Sequence, residues 1–168
     1  NESFDNGNYQ SAMDNYDIVI NLSPEFAAAY LYRGISESSI GLTGAALIDY
    51  NKFIEFEPNN PLGYYYRGHL HHNNGNYTKA ITDFDYYLKL QPNVSGGYAS
   101  RGWAKYYNED YMGALADFNK QIELDESNPI AYYNRGSAKS ELNDHYGAIG
   151  DYEKAIELDK SFSMAYNN

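Results

Sequence analysis

Apolar and small side chains recur along this chain on a helical step. Ala12, Ala46, Ala80, Ala114 and Ala148 each precede an aromatic residue by four positions: Tyr16, Tyr50, Phe84, Phe118 and Tyr152. Four positions further on stand Ile20, Ile54, Leu88, Ile122 and Ile156. Residues at i, i+4 and i+8 share one side of a helix, so each stripe marks a buried helical face. Between stripes lie polar residues, and the whole pattern repeats every 34 residues.

A second set of columns keeps the same period. Pro24, Pro58 and Pro92 are 34 apart, and Pro129 lies just beyond the next step. Arg33 with Gly34 recurs as Arg67 with Gly68, Arg101 with Gly102 and Arg135 with Gly136, each pair following Tyr30, Tyr64, Tyr98 or Tyr132. The pattern predicts helix pairs, with first helices near 27–40, 61–74, 95–108 and 129–142. Second helices are expected near 10–22, 44–57, 78–91, 112–125 and 146–159. Turns fall near Gly41, Gly75 and Asn143, and proline closes a unit because it cannot continue a helix interior. The glycine column is expected to face the alanine column, small against small, where paired helices cross.

Residues 1–168 thus form a single array on this reading. It comprises a partial unit 1–26, full units 27–60, 61–94, 95–128 and 129–162, and the start of another at 163–168, with Tyr166 in the Tyr132 column. Solenoids usually end in a polar capping element. Neither end shows one, which leaves open a longer array or ends that pack on another copy.

The columns resemble those of the tetratricopeptide repeat family. Its 34-residue unit has small residues at the Gly34 and Ala46 columns, aromatics at the Tyr30 and Tyr50 columns, and a closing proline. The resemblance covers nearly the whole chain. It implies an all-α fold, a right-handed α-solenoid of antiparallel helix pairs, whose first helices line a concave, peptide-binding side.

One column departs from the family, which usually carries an apolar residue where this chain has Arg33, Arg67, Arg101 and Arg135. Asp49, Asp83, Asp117 and Asp151 follow these arginines by 16 residues. A repeated cation beside a repeated anion on a packing face predicts a ladder of ion pairs. The competing arrangement has the arginine stems lying along the surface with their heads in water.

Charge narrows the partners. The formal charge of −11 opposes a phosphate backbone or an anionic membrane, and the 12 Lys and Arg residues are scattered rather than clustered. Neither nucleic acid nor membrane is an expected partner. No cysteine is present, which excludes disulfides and thiolate chemistry. The lack of an export or membrane-spanning feature favours the cytoplasm without establishing a compartment.

The 20 tyrosines draw attention to the inward columns of the first helices. Those columns hold Tyr32, Tyr65, Tyr66, Trp103, Tyr106, Tyr107 and Tyr133, together with His69 and Asn134, and Glu141 is their only formal charge. Tyr and Trp combine rigid contact area with a polar handle, which suits them to interaction sites. These nine residues are the candidate peptide-binding groove, with a protein or peptide as partner. Gly63, Gly96 and Gly97 near two helix starts either open a notch beside Tyr65 and Trp103 or mark loosely wound starts.

Some members of the family hold the C-terminal carboxylate of chaperones in a clamp of Lys, Asn and Arg. The matching positions here hold Leu31, Ile35, Tyr66, Gly96 and Ser100, or one unit later Tyr65, His69, Ser100, Ile130 and Asn134. That clamp is not expected.

His69 and His72 share a helix face, yet no carboxylate or thiolate completes a metal set by sequence, so neither metal nor cofactor is expected. No phosphate-binding loop and no nucleophile with a base at a recognisable spacing occurs, which argues against catalysis. The expected function is a scaffold that binds an extended segment in a Tyr-rich groove. A self-associating spacer, or the docking arm of a larger protein, is the alternative.

Overall fold

The computed structural model describes residues 2–161. Among the described residues it is all α, built from antiparallel helix pairs, with no strand. The helices are α1 (Glu2–Leu22), α2 (Ala27–Ser39), α3 (Thr43–Phe56), α4 (Pro61–Asn73), α5 (Tyr77–Leu90), α6 (Ser95–Tyr107), α7 (Tyr111–Leu124), α8 (Pro129–Glu141) and α9 (His145–Leu158). They divide into two compact units, the first ending at Gly75 and the second beginning at Asn76. The start of the further repeat at 163–168 lies outside the described residues.

Local chemistry accounts for the helix ends. Pro61 and Pro129 occupy first turns, where a missing N–H costs nothing, and the side chains of Asn60 and Asn128 accept hydrogen bonds from the amides of Leu62 and Ile130. Asp110 and Asp144 accept from the amides of Gly113 and Gly147 at 2.9 and 3.0 Å, which caps the starts of α7 and α9. The turns between paired helices pass through left-handed backbone at Gly41 and Gly75 (φ 81° and 73°). The same column puts Glu109 and Asn143 there, at φ 63° and 62°. Gly7 stands in this column too but lies inside α1, which starts at Glu2 rather than at residue 10. Glycine permits a turn without enforcing one.

The apolar stripes form the core of each unit. In the first, Leu31, Ala46, Tyr50, Phe53 and Leu70 are buried together. In the second, Phe84 packs with Ala80 and Ala104, Phe118 with Ala114 and Ala138, and Tyr152 with Ala148 and Ala155. The glycine column meets these rings, which corrects the expectation of small against small. A Cβ at Gly34, Gly102 or Gly136 would come within 2.9, 2.5 or 2.6 Å of the ring of Tyr50, Phe118 or Tyr152. The missing side chain makes room for an aromatic ring rather than for an alanine.

Arginine and aspartate pair within each unit. Arg33 on α2 donates from Nε and Nη2 to both oxygens of Asp49 at 2.7 Å, and the carboxylate is nearly fully buried. Arg101 holds Asp117 in the same two-pronged way at 2.9 and 2.6 Å, and Arg135 holds Asp151 at 2.8 and 2.6 Å. Such paired charge-assisted bonds fix both partners in one plane. Arg67 lies on α4 and Asp83 is buried on α5, in different units.

Each arginine also reaches backward. Its Nη1 donates to the residue 16 positions earlier: Asp17 for Arg33 at 2.6 Å, Asn51 for Arg67 at 2.6 Å, Asp85 for Arg101 at 2.7 Å and Asn119 for Arg135 at 3.0 Å. The guanidinium groups of Arg33, Arg101 and Arg135 therefore each fasten a first helix to the second helices on both sides of it. Hydrogen bonding to Asp49, opposed by burial, raises Arg33 above its ordinary value, and the same pair of effects raises Arg101 and Arg135. The arginines stay charged throughout the range of protein stability.

The Tyr30 column completes this framework. Tyr30, Tyr64 and Tyr98 donate from their hydroxyls to the carbonyls of Pro24, Pro58 and Pro92 at 2.9 to 3.0 Å, and Tyr132 does so to Glu126 at 3.2 Å. Their rings carry the guanidinium of Arg33, Arg67, Arg101 and Arg135, 5.5 to 5.8 Å from the ring centroid. Four of the tyrosines are thus structural, tying each first helix to the loop before it.

Candidate functional site

First helices place aromatic residues on one face because their inward columns are three and four residues apart. In the first unit Tyr65 lies edge-on to Tyr66 at 5.4 Å and to the His69 ring at 4.5 Å. Tyr66 stacks on Tyr50 at 6.1 Å, and Tyr32, half exposed, stacks on Tyr16 at the same distance. Tyr32 and Tyr66 thus contribute one ring face to packing. Burial, with His72 nearby, lowers His69 below its ordinary value, so its imidazole is neutral at physiological pH.

The second unit gathers more. Trp103 on α6 lies edge-on to Tyr106 at 5.1 Å and tilted against Tyr107 at 5.8 Å, while Phe118 beneath it holds the indole at 5.5 Å. On α8, Tyr133 leans on Tyr152 of α9 at 5.8 Å. Between α6 and α8 these rings enclose an open pocket of about 410 Å³, lined by Trp103, Tyr106, Tyr107, Tyr133, Tyr152, Ser137, Ser140 and Glu141. A second hollow of about 490 Å³ is formed by the turn residues Glu57 to Pro61 and holds no aromatic side chain.

Glu141 closes the pocket at the last residue of α8. Its Oε1 accepts the Tyr106 hydroxyl at 2.9 Å. Burial, and then the Glu141 carboxylate, raises the Tyr106 phenol above its ordinary value, so this hydroxyl remains a donor. No cation pairs with Glu141 among the described residues: Lys105 and Lys139, on the same two helices, are held by Asp117 and Asp151 at 2.8 Å.

Asn134 does not belong with the other candidates. It is 2% exposed, and its Nδ2 donates to Gln121 Oε1 at 3.1 Å, so it packs between α7 and α8 and presents nothing to a ligand. The glycine notch resolves differently at each position. A Cβ at Gly63 would lie 2.6 Å from Ile54 and one at Gly97 2.7 Å from Leu88, so both permit close helix approach, whereas Gly96 faces open space. Tyr77, Tyr111 and Tyr152 belong to second helices, outside the inward columns that the repeat period assigns to the groove. Tyr77 stacks on Tyr107 at 5.5 Å and Tyr111 meets Tyr106 at 5.3 Å, which steadies the pocket rings from the side.

Among the described residues, no three His, Asp or Glu side chains converge as a metal set. Among them, too, no helix is long and apolar enough to cross a membrane.

Two segments, residues 49–82 and 129–162, match tetratricopeptide repeat family models. Together with the repeated helix pairs, those matches decide the family. The chain is a tetratricopeptide repeat protein. It carries an Arg-Gly variant of the unit, in which the arginine builds the ion pairs described above. No curated protein matches this tetratricopeptide chain.

Solved structures share its fold. A tetratricopeptide repeat protein from Parabacteroides merdae superposes with a TM-score of 0.89 at 20% identity, over 99% of this chain and 66% of that one. MamA from Desulfovibrio magneticus RS-1 does so with 0.87 at 18% identity, over 93% and 88%. The first tetratricopeptide domain of Spaghetti, solved with the HSP90 peptide SRMEEVD, gives 0.61 at 26% identity, over 64% and 85%. As a tetratricopeptide array, the chain is a protein-interaction scaffold.

Proposed function

We propose that this scaffold, without catalysing a reaction itself, binds an extended segment of a partner protein on the Tyr-rich face of its first helices. The observation that carries this reading is the open aromatic pocket between α6 and α8, where Trp103, Tyr106, Tyr107 and Tyr133 converge. Tyr65, Tyr66 and His69 offer a second aromatic patch in the first unit. Large rings already immobilised by their neighbours lose little conformational freedom on binding, so their contact area converts efficiently into affinity.

The Spaghetti domain, solved with a bound HSP90 peptide, supports a peptide as the partner. The chemistry of recognition differs here, since no lysine or arginine stands at the carboxylate-clamp positions.

Capture of a partner by the immobilised chain, compared with a Tyr65→Ala, Trp103→Ala double variant of unchanged helicity, tests the proposal. Each truncated anchor is expected to cost about 2 kcal/mol, a roughly 30-fold loss of affinity. Equal capture by both proteins overturns the groove. A complex made only of this chain with itself replaces it with self-association.

A further inference from the structure

In three repeats the chain shows what it does with a tyrosine ring and a carboxylate held side by side. Arg33, Arg101 and Arg135 lay their guanidinium groups over Tyr30, Tyr98 and Tyr132, 5.5 to 5.7 Å from the centroids, and bond Asp49, Asp117 and Asp151 with the same group. The combination works because the ring's negative face and the carboxylate attract one cation together.

The α6–α8 pocket repeats that chemistry without the cation. Trp103, Tyr106, Tyr107 and Tyr133 supply rings, and Glu141 supplies a carboxylate whose Oε1 is oriented by Tyr106 at 2.9 Å. No Lys or Arg of the chain pairs with Glu141 among the described residues, because the neighbouring lysines are engaged by Asp117 and Asp151. The chain as a whole carries a formal charge of −11, so an approaching cation is attracted and an anion repelled.

Resting on the groove reading above, we propose that the pocket of Trp103, Tyr106, Tyr107, Tyr133 and Glu141 receives a cationic side chain, arginine or lysine, of the bound partner segment. The rings receive the charged head and its stem, and Glu141 neutralises it. Tyr106 is a positioning residue for Glu141 as well as a wall of the pocket. An acidic or fully apolar side chain would leave the Glu141 charge unmatched.

The chain contains a single tryptophan, Trp103, so its fluorescence reports on this pocket alone. The test titrates the whole chain with N-acetyl-arginine amide, N-acetyl-lysine amide and the neutral isostere N-acetyl-citrulline amide. Saturable change in Trp103 emission is expected with the cations, at least about fivefold tighter than with the citrulline compound. Glu141→Gln, an exposed substitution that keeps size and shape, should weaken the cations by about fivefold and leave the neutral compound unchanged. Equal response to cationic and neutral probes, no response to any, or cation binding unaffected by Glu141→Gln overturns the proposal. A partner still captured at full strength by Glu141→Gln but lost by the Tyr65→Ala, Trp103→Ala variant would discard the cation and keep the groove. Undiminished capture by the double variant would discard the groove itself.

Discussion

Glu37 on α2 faces Asp49, one carboxyl against another, in the column where Lys105 and Lys139 pair with Asp117 and Asp151 at 2.8 Å. The Oε2 of Glu37 is buried without a hydrogen-bond partner. Burial first, and then the Asp49 charge, pushes the Glu37 acid up from an ordinary 4.5 to about 7. A carboxyl raised on folding favours the folded state while it is protonated. Its contribution is complete below about pH 4.5 and is lost as the pH climbs through 7.

The melting temperature should therefore fall between pH 5 and pH 8 by more in the native chain than in Glu37→Gln. Allowing for the water around this partly exposed side chain, the difference should be about 1 kcal/mol. Glu37→Lys should stabilise the first unit at pH 8 by restoring the Lys–Asp pair of the other repeats. Parallel melting curves of the native chain and Glu37→Gln across that range would refute the assignment.

Asp117 accepts from Arg101 at two points and pairs with Lys105, and its side chain is 5% exposed. Asp117→Ala leaves two cations without their buried counter-charge and should cost about 3–5 kcal/mol in denaturant unfolding. Asp85, exposed and bonded to Arg101 by a single contact of 2.7 Å, should cost about 1 kcal/mol or less when changed to Ala. Similar losses at the two positions would mean that the paired geometry contributes little.

A Cβ at Gly102 would lie 2.5 Å from the ring of Phe118, a side chain with no exposed surface. Gly102→Ala should destabilise the second unit by about 1–3 kcal/mol despite the better helix propensity of alanine. Gly44→Ala, on α3 with open space around it, should be neutral or stabilising. Urea midpoints for the two variants decide between packing and propensity.

Glu109 holds the left-handed turn position that Gly41 and Gly75 fill in earlier repeats, at φ 63°. Replacing it with glycine removes the Cβ clash of that conformation, partly offset by a freer unfolded chain. Glu109→Gly should raise stability by about 0.5–1 kcal/mol, read as a shift in thermal midpoint.

The Arg–Asp pairs could be read in the sequence because both partners recur at the same columns in all four full units. Their second acceptor is not evident from the sequence because its column alternates between Asp17, Asn51, Asp85 and Asn119, which hides a shared hydrogen-bond role behind a changing charge. Asn134 shares its column with Tyr32, which is half exposed, and Tyr66, which is partly buried, yet it is itself buried because its short amide bonds Gln121. Glu141 was legible only as the one charged residue on an aromatic face. Its alignment with Tyr106 depends on the approach of α6 to α8.

The 34-residue period by itself determined the helix pairs, the all-α fold and the side of each helix that is buried, because those follow from spacing along one helix. Tertiary structure decided what meets what. It set a ring rather than an alanine against Gly102, a second acid against Asp49 in place of lysine, and five rings around a carboxylate that pairs with no cation among the described residues. Each of those outcomes depends on atoms brought together from different helices, where exposure, distance and the charge of the neighbour are properties of the assembled fold rather than of any local run of residues.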